Sequence, residues 1–120
     1  MKNAETIYFL DSYVIIGMAY GNENYAGFTK FPFFSIKWNL LEVYYCLLKK
    51  FGEKFDKFAP FALTIKDEHI FLAAQFKLKN NKREFSYIDV LGYTISQIEG
   101  YSFLTGDKQF EFLPDVEYIK

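Results

Sequence analysis

The chain has 120 residues, a formal net charge of −1, and a composition that is 51% hydrophobic and 22% aromatic. This length suits one domain with one core, and so many apolar side chains exclude a disordered chain. The small net charge excludes a global basic field for nucleic acid, so phosphate contacts would have to come from local patches. We therefore expect a single domain over residues 1–120.

The single cysteine and the single histidine limit the chemistry that is open to this chain. Cys46 cannot form an internal disulfide, which fits a reducing cytosol, and its apolar helix indicates a small core residue. A zinc site of cysteines and histidines is excluded, and His69 has no nucleophile motif nearby that would indicate a Ser-His-Asp hydrolase. Because no apolar run approaches a membrane span and no signal pattern is present, we expect a cytoplasmic protein without a membrane partner.

Short apolar runs alternate with helical patterns in the first half of the chain. We predict a strand over 7–10, a helix from a Ser12 cap to about residue 20, a loop with one helical turn over 22–32, a strand over 33–35, and a helix over 36–51. This last helix ends at Gly52 and carries Trp38, Leu41, Tyr45 and Leu48 at three- and four-residue steps.

The second half continues the alternation. We predict a short helix over 53–59 that is broken at Pro60, and a strand over 61–65. An Asp67-capped helix follows to about residue 79, with Ile70, Ala73, Ala74 and Leu78 on one face, and then a polar connection over 80–84. The last elements are a Ser86-capped helix to about residue 99, a strand over 102–105, a turn over 106–110, and a strand over 116–119. The alternation predicts an α/β fold, a three-layer sandwich with a central parallel sheet of about five strands.

Four acidic residues stand in or beside the apolar runs: Asp11, Glu42, Asp89 and Asp107. A carboxylate is costly to bury alone, so four such positions in one small chain suggest a shared divalent cation. Asp11 and Asp107 follow predicted strands, where ligands gather in parallel sheets, and Asp89 begins the helix that leads to the same edge. Without histidine or cysteine ligands, such a site favours Mg²⁺ or Mn²⁺ and phosphodiester chemistry.

Each acid also has a structural interpretation. Asp89 fits a capping box, Asp107 fits a turn, and Asp11 fits a helix N-terminus. Glu42 has the weakest interpretation of this kind because no basic residue lies three or four positions away. Asn39 precedes Glu42 by three residues, so the two side chains share one helix face.

Two basic stretches offer local positive charge. They consist of Lys49, Lys50, Lys54 and Lys57, and of Lys77, Lys79, Lys82 and Arg83. Solvated helix ends account for each stretch about as well as a phosphate track does.

The acidic positions and their surroundings resemble the PIN domain family, and within it the compact VapC-type toxins of prokaryotic toxin–antitoxin pairs. The resemblance covers nearly the whole chain and rests on the order and spacing of several stretches. These are FLDSYVII from Phe9, NLLEV from Asn39, SYIDVL from Ser86, FLTGDKQF from Phe103 and LPDVE from Leu113.

The resemblance implies a parallel five-stranded sheet, an acidic pocket for Mg²⁺ or Mn²⁺, and endoribonuclease activity. We expect single-stranded or looped RNA as the substrate, because an unstacked strand can enter a pocket that a duplex cannot. The resemblance also implies a homodimer and a cognate antitoxin partner. Asp11, Glu42, Asp89 and Asp107 match the metal-binding acids of the family, which are also its catalytic residues. Ser12 and Thr105 match the supporting hydroxyl positions, and Asn39 joins them as a further supporting residue.

Two departures from the family pattern keep an alternative open. Tyr13 stands where the family often has asparagine, and Gln109 stands where many members carry a further acid, which puts a second metal in doubt. The alternative is a PIN-like module with weak catalysis that binds RNA or a protein partner. A phosphorylatable receiver-type domain needs paired acids at the end of the first strand, whereas Phe9 and Leu10 precede Asp11 here.

Overall fold

A computed structural model of the chain describes residues 5–52 and 58–120. Its centre is a five-stranded sheet in the order β3-β2-β1-β4-β5. The strands are β1 (Tyr8–Leu10), β2 (Phe33–Ile36), β3 (Ala62–Leu63), β4 (Ser102–Thr105) and β5 (Val116–Tyr118). Every pairing between neighbouring strands is parallel, so the predicted α/β fold with a parallel sheet is confirmed.

Helices connect the strands and cover both faces of the sheet. They are α1 (Ser12–Ala19), α2 (Glu23–Ala26), α3 (Lys37–Phe51), α4 (Asp67–Lys79) and α5 (Tyr87–Glu99), with 3₁₀ turns at Gly27–Lys30, Ala59–Phe61 and Lys108–Phe110. Gly52 and Gly100 end α3 and α5 in the left-handed conformation, at φ angles of 68° and 76°. Within residues 5–52 and 58–120, no helix is long and apolar enough to cross a membrane.

Alternate residues of the central strands build two separate cores. Tyr8 and Leu10 of β1 point to one face, where they pack with residues of α1 and α3 that include Val14, Val43 and Leu47. Phe9 of β1 points to the other face, where it packs with residues of α4 and α5 that include Ala73, Val90, Tyr93 and Ile95. This two-residue alternation places the sheet between two helical layers, which is the predicted three-layer arrangement.

Several element boundaries differ from the prediction. Asp11, not Ser12, caps α1, and Lys66, not Asp67, precedes α4 as its cap residue. Segment 22–32 forms α2 and a 3₁₀ turn instead of one helical turn in a loop, and β3 is only two residues long. Most of the helix predicted over 53–59 lies outside the described residues.

On α3 and α4, most of the apolar face that the sequence periodicity predicts does not pack against the sheet. The stripe Trp38, Leu41, Tyr45 and Leu48 faces solvent, with exposures between 52% and 65%, while Asn39, Leu40, Val43 and Leu47 face the sheet. On α4 Ala73 is buried, whereas Ile70 and Leu78 of the same predicted face are exposed. Because α3 carries apolar residues at helical spacing on two sides, its sequence pattern does not select the side that packs.

Candidate functional site

A pocket of about 340 Å³ lies at the carboxyl ends of β1 and β4. It is lined by Asp11, Ser12, Tyr13, Ile16, Glu42, Cys46, Asp89, Gly106 and Asp107. All four acids selected from the sequence are in this lining, although they come from four separate segments of the chain. Adjacent parallel strands end at the same edge of the sheet, which brings Asp11 and Asp107 together.

Asp11 is the most deeply buried of the four acids, with 2% of its surface exposed. Its carboxylate accepts a hydrogen bond from the Val14 backbone N–H at 2.9 Å, and another from the Thr105 hydroxyl. Burial raises the pKa of Asp11 to about 7, and the charge of Asp89 adds to the rise, whereas the hydrogen bonds oppose it. The charged carboxylate is therefore unfavourable here unless a cation accompanies it.

Thr105 connects the end of β4 to two of the acids. Its hydroxyl donates to Asp11 and accepts a hydrogen bond from the Asp107 backbone N–H at 2.9 Å. The side chain is fully buried, so its orientation is fixed by packing. The family resemblance assigned this hydroxyl a position beside Asp107, and in the structure it also holds the carboxylate of Asp11.

Glu42 extends into the pocket from α3, and a hydrogen bond from Ser12 holds its carboxylate there. The Ser12 hydroxyl donates to Glu42 Oε1 at 2.5 Å and accepts a hydrogen bond from Asn39 Nδ2 at 2.9 Å. Glu42 itself is exposed, so its apolar sequence neighbours do not indicate burial. Leu41 and Tyr45 are exposed as well, because they lie on the outer side of α3.

Asp89 combines a capping position with a place in the pocket. Its backbone N–H donates to the Ser86 hydroxyl at 3.1 Å at the start of α5. Burial raises the pKa of Asp89 to about 6, with further increases from the charges of Asp107 and Glu42. The Ser86 half of the predicted capping box is therefore present, and the Asp89 side chain lines the pocket.

Asp107 also both caps a turn and lines the pocket. Its carboxylate accepts a hydrogen bond from the Gln109 backbone N–H at 3.0 Å and caps the turn Lys108–Phe110. The Gln109 side chain points elsewhere: its amide oxygen accepts from the Glu84 N–H at 2.9 Å, and its amide nitrogen donates to the Glu84 carbonyl. Gln109 therefore anchors the connection before α5 and does not line the pocket.

The chemistry of this donor set suits a hard divalent cation. The donors are all carboxylate oxygens, and burial beside one another raises the pKa of both Asp11 and Asp89, an effect that a cation reverses. Among the described residues, however, no three carboxylate, imidazole or thiol groups are already arranged around one point. Coordination by three protein ligands would therefore require side-chain rotation, and Glu42 is the one acid of the four that is exposed.

The pocket also contains residues that the acidic pattern did not reveal. Ile16 and Cys46 form apolar wall, although Cys46 was expected in the core and is only half-buried. Tyr13, predicted only as a departure from the family pattern, lies in the lining with more than half of its surface exposed. The sequence signal that could have placed Tyr13 in the pocket is its position two residues after Asp11, because Asp11 caps α1 and Tyr13 lies in the first turn of that helix.

Comparisons with known proteins identify the fold. No protein-family model matches the chain, and no curated protein matches its sequence significantly. Solved structures of similar fold include three that cover nearly the whole chain. One is a toxin–antitoxin complex from Klebsiella pneumoniae, with a TM-score of 0.76, 14% identity, and coverage of 92% of this chain and 95% of that chain.

The other two structures carry the names VapC20 and VapBC2. VapC20 of Mycobacterium tuberculosis, described as a sarcin-ricin loop cleaving toxin, has a TM-score of 0.71, 14% identity, and coverage of 94% and 99%. VapBC2 from Rickettsia felis, bound to a DNA fragment from its promoter, has a TM-score of 0.71, 15% identity, and coverage of 96% and 100%. This chain therefore has the PIN-type fold of the VapC toxins.

Proposed function

We propose that this protein is a metal-dependent endoribonuclease and the toxin of a toxin–antitoxin pair. The supporting observation is the lining of one pocket by Asp11, Glu42, Asp89 and Asp107 in a fold shared with VapC toxins. Among the similar structures, VapC20 is described as cleaving the sarcin-ricin loop, which is RNA cleavage by this fold. Acids without histidine or cysteine ligands suit Mg²⁺ or Mn²⁺ and phosphodiester hydrolysis.

Each residue has a defined part in this proposal. Asp11, Asp89 and Asp107 would hold the ion directly or through water, and Glu42 would join them or orient the attacking water. When bound, the ion supplies activation of that water and stabilisation of charge on the phosphodiester. Thr105 keeps Asp11 in place, and a chain of hydrogen bonds from Asn39 through Ser12 positions Glu42.

The expected substrate is single-stranded or looped RNA. A pocket of about 340 Å³ accommodates only a small part of one RNA strand. The acids lie at the edge of the sheet, and Asp11 is almost fully buried. An unpaired strand can bend to bring one phosphate to these acids, whereas a paired duplex holds its backbone outside.

An antitoxin protein is the partner that we propose from the structure of α3. The exposed stripe Trp38, Leu41, Tyr45 and Leu48 places large apolar side chains on the same helix as Glu42, which lines the pocket. Such a face is costly in water and suits an apolar protein segment. Two of the similar structures are toxin–antitoxin assemblies, which supports this assignment. We also propose a homodimer, which light scattering after size-exclusion chromatography tests directly.

The activity is tested by incubating the purified protein with RNA in Mn²⁺, in EDTA, and as Asp11→Asn in Mn²⁺. Cleavage should occur only with the unaltered protein and Mn²⁺. Asp67→Asn is a matched control, since Asp67 is an exposed acid at the start of α4, outside the pocket. Equal cleavage in all conditions would show a contaminating nuclease and reject the proposal.

A second candidate is a binding module with weak catalysis. It is favoured by the absence of a ready-made group of three ligands among the described residues. Isothermal titration with Mn²⁺ separates the two candidates. Binding that Asp11→Asn abolishes supports the nuclease, whereas no binding by the unaltered protein supports the module.

A further inference from the structure

We propose that Tyr13 forms a stacking subsite for one nucleobase beside the acidic pocket. This inference rests on the proposed function, because the base would belong to the strand whose phosphate approaches the acids. Tyr13 follows Asp11 by two residues, lines the same pocket, and is 58% exposed. The structure thus presents an aromatic ring next to the point where the reaction would occur.

The Tyr13 ring is held from behind by Tyr25. The two rings meet edge to face, with centroids 6.3 Å apart and planes at 89°. Tyr25 is fully buried, and its hydroxyl donates to the Ile119 carbonyl at 2.8 Å. Because its support is fixed, the Tyr13 ring has little freedom to lose when a planar ligand packs on its open side.

Gly106 lets the ring approach the loop that carries Asp107. A Cβ at Gly106 would lie 2.4 Å from Tyr13 Cδ1, 2.6 Å from Tyr13 Cε1 and 2.9 Å from the Tyr25 hydroxyl. The ring therefore packs directly on the backbone of Gly106, one residue before Asp107. Any displacement of this loop would move the ring and the acid together.

The surroundings of Tyr13 indicate a nucleobase in particular. Four carboxylates make the pocket negative, so a small anion would be repelled without a cation. A π-face contact with a neutral base needs no charge, and aromatic platforms in single-strand binding proteins stack bases in this way. Ile16 and Cys46 add apolar wall, which suits the face of a base better than a ribose or phosphate.

The test compares Tyr13→Phe, Tyr13→Ala and Tyr13→Leu in cleavage of a labelled single-stranded RNA with Mn²⁺. Loss of stacking should lower kcat/KM for the Ala and Leu variants by about 5- to 150-fold, mainly through KM, whereas Tyr13→Phe keeps the ring and the activity. Leu retains apolar bulk, so it reports on stacking even where the Ala variant fails to fold. Phe112→Ala is the control, since Phe112 is 90% exposed and outside the pocket lining.

A second arm uses RNAs that lack one base at successive positions around the cleaved bond. One abasic position should weaken cleavage by the unaltered protein to the level of Tyr13→Leu, and should cause no further loss in that variant. Equal activity of the Leu variant and the unaltered protein would overturn the inference. So would a loss in Tyr13→Phe as large as in Tyr13→Leu, since the hydroxyl would then be the essential group.

Failure of the proposed nuclease function gives a distinguishable result. If the unaltered protein cleaves no RNA, fluorescence anisotropy with the same labelled oligonucleotide still measures the subsite. Weaker binding by Tyr13→Leu, with binding by Tyr13→Phe retained, supports stacking in a protein that only binds. Equal binding by all three proteins, or no binding by any, rejects it.

Discussion

Acidic residues cluster at both ends of the central sheet, but the two clusters differ in the side chains that lie beside the acids. At the amino ends of the strands, a cavity of about 830 Å³ is lined by residues that include Glu5, Glu99, Asp115 and Glu117. Tyr8 donates to Glu117 at 3.0 Å, Gln97 donates to Asp115 at 3.2 Å, and Glu99 lies 3.8 Å from His69. At the carboxyl ends, the smaller pocket places its acids beside one another.

This difference shows that neither cavity size nor the number of acids identifies a functional site. In the larger cavity at the amino ends, Glu117 and Asp115 accept hydrogen bonds from neutral side chains, and Glu99 lies near His69. The pocket at the carboxyl ends combines burial with mutual repulsion, which raises the pKa of Asp11 and Asp89. Carboxylates that are costly to ionise are the ones that a bound cation stabilises most.

The largest expected contrast is in RNA cleavage by Asp89→Asn and Asp115→Asn, one acid from each end. Asp89→Asn should lower cleavage by about 100-fold or more, because it would remove a charged ligand of the proposed metal ion. Asp115 has a φ of 57°, which asparagine tolerates, so Asp115→Asn should leave both the fold and cleavage unchanged. Comparable losses in single-turnover rates for both variants would contradict the distinction between the two ends.

Removing one supporting hydroxyl at each end gives the next contrast. Thr105→Val should weaken Mn²⁺ binding and cleavage by about 10- to 100-fold, because Asp11 loses the group that orients it. Tyr8→Phe should cost about 1 kcal/mol of unfolding free energy through its lost hydrogen bond to Glu117, with no change in cleavage. Mn²⁺ titration and urea unfolding measure these effects. Normal metal binding by Thr105→Val would assign Thr105 a purely structural role.

Stability in EDTA should depend on pH through Asp11. Burial raises its pKa from the ordinary 3.8 of an exposed aspartate to about 7 in the folded protein, so the folded state holds the extra proton between these two values. Stability should therefore fall as pH rises from 5 to 8, by an amount on the order of 2 kcal/mol.

Urea unfolding at pH 5 and pH 8 checks this dependence with a matched variant. Asp11→Asn cannot ionise and should lose less stability over the same interval. Mn²⁺ should restore stability at pH 8 in the unaltered protein only, because the ion binds the folded state. A wild-type loss equal to that of Asp11→Asn would place the titration in other groups.

Glycines at the two ends give the smallest expected effect. Gly106→Ala should cost about 1 kcal/mol or more, because its Cβ meets Tyr13 and Tyr25, and it should also lower cleavage. Gly100→Ala should cost about 1 kcal/mol through its φ of 76°, with cleavage unchanged. Gly27→Ala meets nothing within 4 Å and is the neutral control. Urea unfolding and cleavage rates separate the steric cost from the conformational cost.

Much of the fold could be predicted because its signals are local. Strand β4 has the predicted bounds, α5 begins after the Ser86 cap and ends at Gly100, and the alternation of elements predicted the parallel sheet. The positions of Asp11 and Asp107 after strands predicted that they meet, because parallel strands end together. The sequence offers Asp11 as a residue at a helix N-terminus and Asp107 as a turn residue, and in the structure both acids hold these positions and also line the pocket.

The sequence by itself determined the five strands, the helices α1, α3, α4 and α5, their order, and the edge of the sheet where Asp11 and Asp107 gather, since each depends on neighbours within a few residues. Only the tertiary structure decided that Glu42 is exposed, that the stripe of Trp38 faces solvent, and that Tyr13 packs on Gly106. These outcomes depend on contacts between distant residues, such as Ser12 with Asn39, 27 positions apart, and Thr105 with Asp11, 94 apart. The local periodicity of the sequence cannot predict such contacts, because they form only when the sheet brings distant segments of the chain together.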